Sequence, residues 1–267
     1  MSGKTFTMFV DSSNQSNKTD FTIPIPSGMQ LDGNYYIGCS YLSTHNSRHN
    51  ITSAMGNNKF IYTDSVDTFT ITIPDGVYGI EELDTYLKAK IIENSGNGGF
   101  ITDAITGELI VCISLVPNYS TGKVDIIMRE FSNTDTLLIH FSDPEMAGMA
   151  EFLGFSTMDL DCFAGLTTFF SSDLVPNVNN GITSYQLHCD LVSRSFVGGL
   201  EDDILIVFNM NSPTYALVKV EPINILYLPI SRSKVDKIRF RLTDNLRRDV
   251  NLNGEAINMN IIFKLMS

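Results

Sequence analysis

His45 and His49 stand four residues apart in the run THNSRHNI, the spacing at which a helix would place two imidazoles on one metal ion. The run is rich in Asn and Ser, which draw backbone hydrogen bonds away from a helix, so the required geometry is not expected. His140 and His188 lie in strand-like runs beside apolar residues, where a satisfied core or sheet-surface histidine is expected rather than a catalyst. Sandwich folds that hold a metal on strand histidines use a His-x-His pair, and none occurs. Glu201-Asp202-Asp203 supplies hard oxygens for calcium but lacks the spaced ligands and glycine of an EF-hand loop, so it reads as a solvated turn. Gly-x-Ser-x-Gly and the P-loop pattern are both absent. No catalytic, cofactor-binding or metal-ligating residue is therefore assigned. The chain is expected not to be an enzyme and to need no cofactor.

Two basic clusters remain. Lys237, Arg239 and Arg241 alternate with Ile238, Phe240 and Leu242, which puts the charges on one face of a strand, and Arg247-Arg248 follows. A solvated or partner-facing strand surface accounts for them, with contact to packaged nucleic acid as the alternative. The net charge of −12 disfavours direct nucleic-acid binding, because phosphate neutralisation needs clustered Lys and Arg. Cys39, Cys112, Cys162 and Cys189 are scattered without Cys-x-x-Cys pairing and read as buried free thiols. The sequons at Asn17, Asn50 and Asn118 matter only on a secretory route. MSGKTFTMFVDSS has no long apolar core or cleavage-site pattern, so synthesis in a host cytosol is expected. No stretch is apolar enough to span a membrane, and no membrane partner is expected.

Short strands must position these residues. Phe69, Ile71 and Ile73 alternate with Thr68, Thr70 and Thr72, the period of a half-buried strand, until Pro74-Asp75-Gly76 stops it. From Ile80 the spacing changes: Ile80, Leu83, Leu87 and Ile91 predict a helix over 80–92 with Glu81 and Glu82 at its positive end. Its expected use is to seal a flank of the sheets. SDPEMAGMAEFLGF predicts a second helix, capped by Ser142 or Asp143, with Pro144 in its first turn and Gly154 as its stop. Pro24 and Pro26 confine the strand around them to a sheet edge or a bulge. Further strand patterns fill 108–116 and 123–131 and most of the last third, ending on the alternation of Ile257, Met259, Ile261, Phe263 and Leu265. No repeat and no βαβ alternation appears. The predicted fold is all-β, an antiparallel β-sandwich of single jelly-roll type with two short helices. Residues 1–20 read as a flexible N-terminal arm, and 21–267 as one domain with a loop insertion around 155–181.

Several segments carry a resemblance. YYIGCSYLSTHNSRHNI with NNKF behind it, ITIPDGVYGIEELDTYL, SDPEMAGMAEFLGF, and the ending NILYLPI to KIRFRLTDNLRRDVNLNGEAINMNIIF together look like the minor capsid (penton) proteins of Polinton or Maverick elements. Related proteins occur in virophages and other small double-stranded DNA viruses of that lineage. The resemblance runs from about residue 21 to the C-terminus, and residues 155–181 depart from any pattern within it. It implies a structural capsid protein of the virion, a homopentamer at the five-fold vertices of an icosahedral capsid, surrounded by double-jelly-roll major capsid proteins. It carries over no catalytic residue. The alternative is a carbohydrate- or receptor-binding β-sandwich module, for which ten tyrosines are present but tryptophan, a favoured sugar platform, is absent.

Overall fold

Alternation of apolar and polar residues governs most of this chain, because a strand with one face on a core buries every second side chain. The computed structural model describes residues 5–64, 67–94, 99–102, 106–131, 136–163, 165–193, 195–197, 199–210, 212 and 215–266. In chain order the elements are β1 (Thr5–Asp11), β2 (Asp20–Gln30), β3 (Tyr35–His45), β4 (Lys59–Asp64), β5 (Asp67–Thr72), α1 (Ile80–Asn94), β6 (Phe100–Thr102), β7 (Leu109–Val111) and β8 (Ile113–Asn118). Then come β9 (Lys123–Arg129), β10 (Leu137–Ile139), α2 (Ala147–Leu153), β11 (Leu160–Cys162), β12 (Thr167–Ser171), β13 (Tyr185–Cys189), β14 (Ser195–Val197) and β15 (Leu200–Asp202). The chain ends with β16 (Ile204–Phe208), β17 (Leu217–Val220), β18 (Leu228–Pro229), β19 (Lys234–Asp244) and β20 (Asn258–Leu265). Among the described residues no helix is long and apolar enough to cross a membrane.

Two compact units divide the chain. One takes the residues up to Arg48 together with Ile182 onward, and the other takes 49–181. In the first, the sheet order is β1-β20-β3-β17, with β18 also on β3, and a second sheet runs β16-β13-β19-β2. The antiparallel partners nest: β1 with β20, β2 with β19, β3 with β17, β13 with β16. A long hairpin folded over on itself in this way is a jelly roll. Inner faces of both sheets meet in one core that includes Ile37, Leu42, Leu187, Phe240, Ile261 and Phe263. The predicted split of β19 is observed, with Ile238, Phe240 and Leu242 buried and Lys237 and Arg239 exposed. The proline-bearing strand β2 lies at a sheet edge, and its register against β19 shifts between Val235 and Lys237.

Two expectations are corrected here. The first twenty residues do not form a free arm over their described part. β1 pairs with β20 from Thr5↔Lys264 to Asp11↔Asn258, Val10 is buried, and Phe6 stacks on Phe263 with ring centroids 4.7 Å apart. Residues 1–4 of the predicted arm lie outside the described residues. The inserted segment is also far longer than 155–181: it is the whole of 49–181, placed between β3 and β13, with a core of its own. Residues 155–181 hold β11 and β12, and β12 pairs β9 with Phe169 opposite Ile127.

The inserted unit is built from sheets ordered β11-β10-β4-β5 and β12-β9-β8, the hairpin β6-β7, and both helices. As predicted, α1 buries Leu83, Leu87 and Ile91. Its Asp84 Oδ1 accepts the backbone amide of Leu115 at 2.7 Å, and its Oδ2 pairs with Lys88 at 2.6 Å. A carboxylate thus occupies a backbone donor of β8, an outer strand of its sheet. The second helix stops where predicted, and the predicted start at Asp143 and Pro144 is a 3-10 turn that runs into α2 at Ala147. Asp143 Oδ1 accepts the Glu145 amide at 2.8 Å, Pro144 opens a short 3-10 turn, and Gly154 ends α2 at φ 82. Gly148 is required by close approach, since a Cβ there would lie 2.6 Å from the Gly56 carbonyl oxygen.

All four cysteines are free and buried. Burial pushes the Cys39 thiol up to about 11 and the Cys189 thiol up to about 12, which leaves both unreactive near neutrality. Asn50 fastens the entry and exit of the inserted unit. Its Nδ2 donates to the carbonyls of Tyr78 at 2.8 Å and Val178 at 3.1 Å, its Oδ1 accepts the Tyr78 amide at 2.9 Å, and Asn180 Nδ2 donates to its own carbonyl at 2.9 Å. The Asn50 sequon is therefore buried structure rather than a glycan acceptor. Asn50→Ala strands several buried polar groups at about 1–3 kcal/mol each, so its denaturant midpoint is expected well below that of the unsubstituted protein. Asn50→Asp, which keeps the acceptor and loses both donors, should fall between the two, and an unchanged midpoint for Asn50→Ala would remove this clasp from the account.

Candidate functional site

The densest group of chemically capable side chains lies in the sandwich around β13. All five residues of β13 are buried. Tyr185, Leu187 and Cys189 belong to the core, so Gln186 and His188 face the other side of the sheet. A register shift between Leu187 and His188 sets the pairing with β16. Just before β16 the β14–β15 hairpin delivers Asp202 and Asp203, and Ser195 Oγ clamps its base by donating to the Asp202 carbonyl at 2.5 Å and accepting the Ile204 amide at 3.0 Å.

His188 Nδ1 lies 2.6 Å from Asp203 Oδ1 and 3.3 Å from Asp202 Oδ1, while Nε2 lies 2.9 Å from the fully buried Thr243 Oγ1. Arg247 Nη2 is 3.2 Å from Asp202 Oδ2. The hydrogen bond from His188 holds the Asp203 carboxyl below the usual carboxylate range. A histidine on a carboxylate has the composition of a general-base dyad, but this imidazole is only 3% exposed and both of its nitrogens are engaged. Among the described residues, His188, Asp202 and Asp203 bring one ligand atom each close enough together to hold a metal ion. Spacing along the sequence gave no hint of this, because a hairpin and a strand irregularity bring His188 to carboxylates that a linear motif does not connect.

The other singled-out residues are dispersed. His45, at the end of β3, is 3.1 Å from Glu255 Oε2, and residues 46–49 form no helix, so the four-residue spacing to His49 has no geometric meaning. His140 Nε2 is 2.6 Å from Thr63 Oγ1. On the basic face of β19, Arg239 forks onto Asp20 at 2.8 and 2.6 Å, and nearby Arg232 pairs with Asp190 at 2.6 Å. Arg248 pairs with Asp244 at 2.7 Å. Glu201 is exposed, as a solvated turn requires, but its neighbours Asp202 and Asp203 are drawn into the cluster.

Large apolar side chains are also exposed. In the sandwich they include Phe9 on β1, Leu217 on β17, and Ile223 and Leu226 between β17 and β18. In the inserted unit they gather between Met158 and Val175, with Phe169 outward on β12.

No protein-family model and no curated protein sequence matches the chain. Among solved structures, the mavirus penton protein is similar over 98% of this chain and 99% of its own, with a TM-score of 0.51 and 12% identity. A chain of the Sputnik virophage structure aligns over 97% of both chains at 11% identity and a TM-score of 0.42. At these identities the first likeness establishes a shared fold, and the second is too loose to add to it.

A carboxyl held low in the folded state contributes stability above its unfolded value, and that contribution is lost as the pH falls through the lowered one. Asp203→Asn, measured in the presence of a chelator, is therefore expected to unfold at a lower temperature than the unsubstituted protein at pH 7. The gap should narrow as the pH falls below the ordinary aspartate value and through the lowered one, where the carboxyl becomes protonated in both states. A gap independent of pH would mean that the Asp203 charge is not what His188 holds.

Proposed function

We propose that this protein is a structural capsid component, a penton that assembles as a homopentamer at the five-fold vertices of an icosahedral capsid, beside double-jelly-roll major capsid proteins. The observation that carries the reading is the nested jelly roll together with a fold shared along nearly its whole length with the mavirus penton protein. The buried, fully engaged His188 fits a scaffold better than a catalyst.

A closed ring of identical chains uses a heterologous interface, in which one surface of a subunit meets a different surface of the next. The sheet β1-β20-β3-β17 ends in two such surfaces. Phe9, 78% exposed, marks the β1 edge, and Ile223, 100% exposed, stands with Leu217 and Leu226 along the β17 side. Apolar side chains of this size form the centre of interfaces that bury roughly 1,600 Å². With a charge of −12 on each chain, ring closure works against electrostatic repulsion and is expected to strengthen with added salt.

Light scattering on the purified protein tests the reading directly. The expected species has five times the 29.6 kDa chain mass and grows with concentration and salt. Ile223→Asp with Leu226→Asp should return it to single chains without loss of the β circular dichroism signal. A stable dimer or trimer of the unsubstituted protein would overturn the proposal.

A further inference from the structure

Where the β14–β15 hairpin rejoins the sandwich, His188 Nδ1 and one oxygen each of Asp202 and Asp203 lie within 4.8 Å of one another. We propose that these residues bind a divalent transition-metal ion of the zinc class, which fastens the hairpin to β13. The inference stands apart from the capsid reading and would hold for a sandwich of any function.

Bonds of about 2.0–2.2 Å to nitrogen and oxygen set neighbouring ligands around 3 Å apart, so the observed 2.6 and 3.3 Å separations need only small side-chain movements. The outer partners of such a site are also in place. Thr243 Oγ1 engages the far imidazole nitrogen, and Asp202 is oriented by Arg247 on Oδ2 and by the Asp203 amide on Oδ1 at 2.8 Å. With a neutral imidazole, two carboxylates and one guanidinium leave one negative charge beside a buried ring, which an added cation offsets. Asp203 is 45% exposed at its side chain, leaving a path from solvent and room for water on the ion. The imidazole ligand selects a first-row transition metal over calcium, which takes oxygen.

A proton competes with the ion for Nδ1. When the ion enters, that proton leaves to solvent if the ring is an imidazolium. If the ring is neutral, it moves to Nε2, where Thr243 Oγ1 accepts it. Binding is therefore weaker in acid.

The test uses the full chain, stripped with EDTA, dialysed and titrated with zinc chloride against a chromophoric chelator. One equivalent per chain is expected, held at least tenfold more weakly at about pH 5.5 than at pH 7.5. His188→Gln and Asp203→Asn should each weaken binding at least tenfold, and His45→Ala should not. Asp203 is partly exposed, so its variant keeps the test decisive if His188→Gln fails to fold. Zinc should also slow proteolysis within 195–202. Failure of the unsubstituted protein to compete for zinc, with the cluster then held by a shared proton alone, would overturn the proposal. Equal affinity in Asp203→Asn would do the same by placing the ion elsewhere.

Discussion

The pairing of the first described strand with the last is the constraint on which the sandwich depends. β20 is an inner strand of its sheet, flanked by β1 on one side and β3 on the other. Remove β1 and the β20 edge opens to solvent, and Val10 and the Phe6–Phe263 stack leave with it. The remaining pairs nest inside this one, so each closes a shorter loop than the pair outside it. Pairing between chain ends closes late, because the entropy of a long loop must be offset before the contact contributes. The same nesting explains how the chain tolerates an insertion as large as 49–181. It sits in the connection between β3 and β13, where no ladder of the sandwich is interrupted.

Much of this was legible from local pattern. The Thr-rich strand 67–72, the basic strand β19 and the final strand β20 follow two-residue alternation, α1 buries its three- and four-spaced apolar residues, and the turn into α2 and the end of α2 fall at Asp143 and Gly154. Pro24 and Pro26 put their strand at an edge. What stayed hidden is non-local. Alternation reports that one face of a strand is buried, but not against which core, so two cores in one chain read as a single sandwich. The FTMFV segment looked like part of an arm because its partner lies at the other end of the sequence. In the strand SYQLHC the polar residues Gln186 and His188 fall at alternate positions, a signal of a covered polar face that becomes readable once the hairpin delivering Asp202 and Asp203 is known.

Charge is distributed in a way that separates scaffold from surface. Arg239, Arg232, Arg247 and Arg248 are held by Asp20, Asp190, Asp202 and Asp244, which turns part of the apparent basic clusters into internal ties. Exposed apolar side chains are left to mark the surfaces, at the edges of one sandwich sheet and along 158–175 of the inserted unit. A surface on which several arginines are engaged at home and large apolar groups point outward is suited to meet other protein rather than phosphate.

The central claim is that this sandwich closes into a ring of five. Cryo-electron microscopy of the concentrated protein, averaged without imposed symmetry, tests it most directly. The account predicts rings of five copies in which the β1 edge of each subunit faces the β17 side of the next. Rings of three or six, or particles holding one chain at every concentration and salt, would contradict it.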